Sequence, residues 1–387
     1  MKVFLTSDFR CNIYNGELFL LPKAYNIYKR YADAFGELTL CSRFVSVNEL
    51  SGGMSKADFI KKAINIDNLL KALTGGYKEI IANEVLECDL VIVRLPSIIA
   101  YEAAKCAKRQ NKKYLAELMC DGWAPYWNHG LSGKIIAPYM HIMMKSVTES
   151  ANYAVYVTEK YLQERYPCSN PSIYASNVVI SELPLSVLAN RFDHIDAMDR
   201  KNISIMTTAD VNVVSKGHKF VVEAIKKLKC EGFNITYYLA GAGNQDILKK
   251  IARKNGVEES LVFLGRLTME QIYNYLDKID IYVHPSLQEG LPRAVIEAMS
   301  RACPCLGANT AGIPELLDSE CIFESASAVS IVNAVKRFVN QDLKIYAERN
   351  FEHCRLYLND VLNFRRDSYF KSIVNDIVGE TKTDNNF

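Results

Sequence analysis

The run His284 to Leu317, HPSLQEGLPRAVIEAMSRACPCLGANTAGIPELL, limits the fold more than any other part of the chain. Just ahead of and into it, Ile279 to Ser286 is apolar and β-branched, which predicts a strand, and Gly290 and Pro292 break that strand. Pro292 stands where the first turn of a helix tolerates a missing N–H, so a helix is predicted from Pro292 to about Ala302. Ala294, Val295, Ala298 and Met299 recur at i, i+1, i+4 and i+5 and give it one buried stripe. Cys303 to Ala308 then supplies the next strand. Strand, helix and strand in that order make one parallel β-α-β step, the unit of a layered α/β fold.

Glu289 closes the loop, and Glu297 follows eight residues later on the second turn of the helix. Gly290, Leu291, Pro292 and Arg293 lie between them, so unpaired N–H groups of a helix start are expected at the C-terminal edge of the sheet, where an anion is favoured. A carboxylate on each side of an anion site fits a ligand with hydroxyls at both ends and phosphate in the middle. A nucleotide-sugar has that layout. Its diphosphate meets the helix start, while one glutamate accepts from ribose hydroxyls and the other from sugar hydroxyls.

The Glu-x7-Glu spacing, with EGLPRAVIEAM inside it and GIPELL (Gly312 to Leu317) after it, resembles the retaining glycosyltransferases of family 4, which have the GT-B fold. Other fragments stand in the order of that family: SKGHKFVVEAI (Ser215 to Ile225), YLAGAGNQ (Tyr238 to Gln245), VFLGRLTMEQIYNYL (Val262 to Leu276) and DIYVHPS (Asp280 to Ser286). The resemblance implies two Rossmann-like α/β domains facing across a cleft and a C-terminal helix that crosses back to the first domain. It also implies that Glu289 and Lys216 are catalytic, and that Glu297 and the run Gly290, Leu291, Pro292 and Arg293 hold the donor. Gly241, Gly243, Arg266 and Leu267 join the donor site, the last two through main-chain groups on the base. A uridine-diphosphate sugar as donor, a glycan or lipid-linked glycan as acceptor and a place in bacterial surface-polysaccharide synthesis belong to the same expectation.

At 387 residues the chain exceeds one ordinary core and suits two domains. We expect residues 1–181 to form the acceptor-binding domain, 182–202 a polar and poorly periodic linker, 203–362 the nucleotide-sugar domain, and 363–387 the crossing helix and tail. In that helix Phe364, Phe370, Ile373 and Ile377 are expected to face inward, with a disordered tail from Gly379. Lys+Arg of 46 against Asp+Glu of 44 leaves a net charge of +2, which argues against nucleic acid as a partner. Eleven cysteines without paired CxxC motifs, behind a start (MKVFLTSDF) that is no signal peptide, point to free thiols in the cytoplasm. No run approaches the roughly 18 apolar residues of a membrane span. Peripheral contact at the inner face of the membrane stays open.

In the first domain the strand Met1 to Ser7 is expected to run into a polar loop, Asp8 to Glu17. The resemblance implies a ligand role for Asn15 and Gly16 there; the residues by themselves also read as a plain connection. After the strand Lys113 to Met119 comes CDGWAPYWNHG (Cys120 to Gly130), which holds both tryptophans with Asp121 and His129. Aromatic faces beside a carboxylate and an imidazole suit sugar binding, so Asp121 and His129 are acceptor candidates, with loop packing the alternative for each. Lys105, Lys108, Arg109, Lys112 and Lys113 cluster at a helix end. They are either a solvated face or a contact for anionic lipid.

One departure stands out. Members of the family carry an arginine shortly before the Lys-Gly pair, whereas TTADVNVVS (Thr207 to Ser215) has no cation and places Asp210 near that position. Either Arg293 or Arg266 substitutes, or the diphosphate relies on Lys216 and main-chain N–H groups. No D-x-D pair occurs, so no metal and no cofactor beyond the donor itself are expected. The competing reading is a non-catalytic GT-B scaffold that binds a nucleotide-sugar or glycan.

Overall fold

Unbroken apolar runs set both sheets. Leu90–Leu95, Tyr114–Leu118, Ile281–His284 and Cys305–Ala308 are buried along their whole length, as strands covered on both faces must be. The computed structural model describes residues 1–50, 52–127 and 130–384; the acceptor candidate His129 and residues 385–387 of the expected tail lie outside them. The architecture is two-domain α/β. One compact unit comprises Met1–Val157, Leu162–Ala175 and Phe364–Phe387, and the other Thr158–Tyr161 and Ser176–Asn363.

In the first unit the strand Lys2–Tyr14 lies between two parallel neighbours, Glu37–Ser46 and Leu90–Leu95. Tyr114–Leu118, Tyr153–Tyr156 and Ser172–Tyr174 extend the sheet in parallel. The first strand does not stop at Ser7. It passes a register shift between Thr6 and Arg10 and turns back through Asn15 and Gly16 into the antiparallel strand Glu17–Leu20. Asn15 and Gly16 take φ of 50° and 79°, and Asn-Gly with both angles positive is what a two-residue hairpin requires. The expected polar ligand loop is therefore a hairpin, with both residues exposed at its tip.

The second unit has a six-stranded parallel sheet in which Asn202–Thr208 sits beside Ile281–His284, with Ile205 opposite Ile281 and Met206 opposite Tyr282. From Asn202–Thr208 the chain builds outward through Asn234–Ala240 and Leu261–Gly265, then returns to start the other half at Ile281–His284. The crevice where strand order reverses lies at the C-terminal ends of these two central strands, the usual ligand position in an open α/β sheet.

The expected linker, residues 182–202, is not featureless. It contains the helix Leu185–Ala197, which buries Val187, Arg191 and Ile195 within the second unit. The i, i+4, i+8 stripe is hidden in the sequence because its middle member is an arginine, whose Nη1 donates to the Ile279 carbonyl at 2.6 Å. The last helix, Asn359–Asp384, passes into the first unit and buries Arg366, Tyr369, Phe370 and Ile373 there. Ile377 is buried as well, but Phe364 is 76% exposed, and the helix continues past Gly379 where a disordered tail was expected. Beneath this helix Arg94 and Glu117, on adjacent strands, form an ion pair with both side chains 3% exposed.

Candidate donor site at the sheet switch point

Two loops meet at the reversal point of the second sheet. The loop after Asn202–Thr208 ends in a short turn, Val214–Lys216, followed by Gly217 in the left-handed region (φ 73°) and then the helix His218–Cys230. A Cβ on Gly217 would stand 2.0 Å from the Pro285 carbonyl oxygen, so only glycine lets the two loops come this close. The Leu287 N–H donates to the Ser215 carbonyl at 2.7 Å and fastens one loop to the other.

This fastening brings Lys216 onto Glu289. Lys216 Nζ donates to Glu289 Oε1 at 2.6 Å, and His284 Nε2 donates to the same oxygen at 3.0 Å. His284 is the last residue of its strand and 2% exposed, and the Tyr282 hydroxyl lies 3.3 Å from its Nδ1. Burial pushes the Glu289 carboxyl up, but the His284 hydrogen bond and the charges of His284 and Lys216 outweigh it and hold the group down to about 2. Oε2 accepts from no protein donor among the described residues and remains available.

Glu297 lies on the following helix, Arg293–Ser300, half-buried. Burial first and the Glu297 carboxylate after it hold the Tyr273 hydroxyl above its ordinary range. That helix begins without a side-chain cap; the Val295 N–H turns back to the Pro292 carbonyl at 3.2 Å, and the N–H groups of Arg293 and Ala294 precede the intrahelical ladder. Gly290, Leu291 and Pro292 are buried, and Arg293 alone of this run is exposed. The burial comes from the GIPELL segment: Gly312 N–H donates to the Gly290 carbonyl at 2.9 Å. Glu315 of the same segment accepts from the main chain of Glu159 at 2.7 Å and of Lys160 at 3.2 Å, a structural use of that carboxylate.

Gly241 and Gly243 press against the loop at Ala209 to Asn212. A Cβ on Gly241 would stand 2.0 Å from the Ala209 carbonyl oxygen, and one on Gly243 would stand 2.2 Å from Asn212 Oδ1. Asp210, found where a cation was expected, accepts from the Ala242 N–H at 3.1 Å and so closes these two loops on each other. Arg266 is exposed and Leu267 half-buried just past Gly265, whose φ is 68°. Arg266 and Arg293 therefore both face solvent, and Lys216 is the cation held at the switch point.

Residues 202–341 match the model of the glycosyl transferases group 1 family. The chain therefore carries a glycosyl transferases group 1 domain, and its fold is GT-B. Protein CapJ of Staphylococcus aureus is 28% identical to this chain over 362 residues, 90% of this chain and 89% of its own. The amylovoran biosynthesis glycosyltransferase AmsK of Erwinia amylovora is 34% identical over 110 residues, 27% of either chain. Among solved structures, HepE of Anabaena in complex with UDP superposes with a TM-score of 0.61 at 12% identity, over 98% of this chain and 99% of that one. HepE has also been solved with UDP-glucose.

In the first unit of the protein, Asp121 is 3% exposed and its oxygens are taken by protein donors: Arg165 Nε at 2.9 Å, the Trp123 N–H at 3.2 Å, the Ala124 N–H at 3.3 Å and the Tyr166 hydroxyl. It anchors the aromatic loop from below. Because the Tyr166 hydroxyl donates to Asp121, it accepts from His141 Nδ1 at 2.8 Å, which leaves the His141 Nε2 lone pair without a partner among the described residues. Burial and the Arg165 charge lower the His141 pKa, so the ring is neutral at pH 7. Trp123 stacks on Trp127 at 4.9 Å and meets the His141 ring edge-on. His141, Tyr166 and Arg165 lie far from Asp121 in sequence and carry no motif of their own, and His284 reads in the sequence as one more strand residue.

Proposed function

We propose that the transferase moves a glycosyl unit from a uridine-diphosphate sugar to a hydroxyl of a glycan or lipid-linked glycan, with retention of anomeric configuration, in the assembly of a bacterial surface polysaccharide at the inner face of the cell membrane. The observation that carries the donor half is the contact of Lys216, Glu289 and His284 at the strand-order reversal. UDP and UDP-glucose as ligands of HepE support the choice of base, and the part of AmsK in amylovoran biosynthesis supports the pathway class.

In this reading Lys216 has two calls on it. Before the donor binds it is held by Glu289; the diphosphate, richer in charge, draws it away to meet the negative charge that builds on the β-phosphate as the glycosidic bond stretches. His284 stays behind on Oε1, so Glu289 keeps its ionisation and direction while the open Oε2 accepts from hydroxyls of the donor sugar. Glu297 accepts from the ribose. The N–H groups at the start of Arg293–Ser300 add to the hold on phosphate. Lys216 and those N–H groups take the place of the arginine that the family carries, and no divalent ion is assigned a part, in keeping with the absence of D-x-D from the sequence. On the first unit, the neutral His141 Nε2 beside the tryptophan pair is the group suited to accept from an acceptor hydroxyl.

A thermal-shift screen against UDP-, GDP- and ADP-sugars tests the donor, since a ligand that binds only the folded state raises its melting temperature. Transfer or slow donor hydrolysis by the purified protein, undiminished by EDTA, is expected with the stabilising donor, and NMR of the product reports the anomer. Glu289→Ala should reduce turnover heavily while Glu297→Ala mainly weakens donor affinity. Wild-type rates in both variants, or donor binding without any turnover, would defeat the assignment.

A further inference from the structure

We infer that the outer face of the helix Gly130–Glu149 is a docking surface that lies on a lipid bilayer bearing anionic headgroups. This stands on the surface alone and requires neither donor nor acceptor to be known. The helix is apolar on two opposite sides. One side, with Ala137, Met140, Met144 and Val147, is buried in the first unit. The other carries Leu131 at 83% exposure, Ile135 at 79% and Ile142 at 64%, with Tyr139 beside them at 39%. Their spacing of four, eight and eleven residues from Leu131 places all of them on one face. A face so apolar and so open on a helix that has already buried its other side marks an interaction site.

Charge selects the occupant. Between Gly130 and Thr148 the helix has no acidic residue, and Lys134 and Lys145 border the exposed stripe on one side. The exposed Trp127 stands at the head of the stripe with Lys134 Nζ 5.5 Å from its ring. Apolar residues with bordering lysines and an aromatic at one end are what a helix lying in a membrane interface presents. A second copy of the chain packed on the same face would set these lysines against their own equivalents. Among the described residues no helix is long and apolar enough to cross a membrane, so this one would lie in the interface plane. The lysine and arginine cluster near Lys108 fits the role less well, because protein partners engage three of its members: Lys105 faces Glu102 at 3.8 Å, Lys112 donates to the Cys88 carbonyl and Lys113 to Asp376.

The test is co-sedimentation of the full chain with vesicles of phosphatidylcholine alone or mixed with phosphatidylglycerol. The wild type should sediment with the mixed vesicles and lose binding as salt rises; Leu131→Asp with Ile135→Asp should lower the partition coefficient by roughly tenfold or more. Lys105→Ala with Lys108→Ala should leave it unchanged. Should the aspartate pair disturb folding, Lys134→Glu with Lys145→Glu provides the same reading through charge. The proposal is overturned if the wild type ignores anionic vesicles at low salt, if the stripe variants bind as well as it does, or if the stripe instead drives self-association in lipid-free buffer. Donor-induced thermal stabilisation, measured on the same samples, reports on the donor site separately.

Discussion

Glu289→Gln isolates the charge at the switch point with almost no change of shape. In the folded protein the carboxyl falls from its ordinary 4.5 to about 2, and its side chain is only 13% exposed, so solvent screens it little. That fall corresponds to roughly 3 kcal/mol, since each tenfold change in an ionisation equilibrium is about 1.4 kcal/mol. The sign follows from the direction: a depressed carboxyl contributes stability that is complete above its unfolded value and disappears as pH drops through the folded one. At pH 7 the variant should therefore be less stable by about 2–3 kcal/mol, a shift on the order of 5–10 °C in the melting of a unit this size. Between pH 4.5 and 2 the difference should shrink, to less than about half by pH 3. Thermal unfolding followed by circular dichroism across that range measures it. Lys216→Met, alone and combined with Glu289→Gln, completes a double-mutant cycle in which a coupling of at least about 1 kcal/mol is expected between groups in contact. Equal melting of wild type and Glu289→Gln at pH 7, or a difference that persists undiminished at pH 3, would refute the reasoning.

Three further expectations concern other parts of the site and fold. His284→Leu removes the donor that stays on Glu289, so kcat should fall by roughly tenfold or more with a smaller change in donor KM, whereas His284→Gln should recover part of it; steady-state kinetics at saturating acceptor reads both. Gly217→Ala combines a left-handed backbone with a contact of 2.0 Å on the Pro285 carbonyl, and should cost at least about 2 kcal/mol in chemical denaturation and weaken UDP binding by calorimetry. Glu117→Gln leaves the Arg94 guanidinium buried without its counter-charge and should destabilise the first unit by roughly 3–5 kcal/mol, with donor-induced stabilisation of the second unit unchanged.

The second half of the sheet architecture was legible because a strand covered on both faces must be continuously apolar and because Gly-Leu-Pro punctuates one end of such a strand. Ile281–His284, Arg293–Ser300 and Cys305–Ala308 fall where that pattern puts them. Lys216 and Glu289 could be named from the sequence, but their direct bond could not: it depends on Gly217 allowing the loop to close on Pro285, a contact between residues far apart in the chain. The first half was harder. Asn-Gly between Tyr14 and Glu17 carries a hairpin signal, and it was outweighed by the polar look of Asp8 to Glu17, which conceals an extended strand through Tyr14. Asp8 itself is drawn in to accept from the Ile98 N–H at 2.8 Å and the Ser97 hydroxyl at 2.7 Å, so it serves a helix start and not a ligand. His141 and Tyr166 become a pair only through the fold, since neither periodicity nor spacing links them to Asp121.

The first unit borrows its final layer from residues after Asn363. A ribosome making this protein releases Tyr31 and Phe35 hundreds of residues before Phe370, the ring that closes over both. The second unit, contiguous but for a four-residue stretch, can consolidate while the earlier one still waits with an apolar flank uncovered. An excised fragment ending near Ala175 would keep that flank permanently bare, so dissecting the protein into halves calls for grafting the closing helix onto the amino-terminal piece.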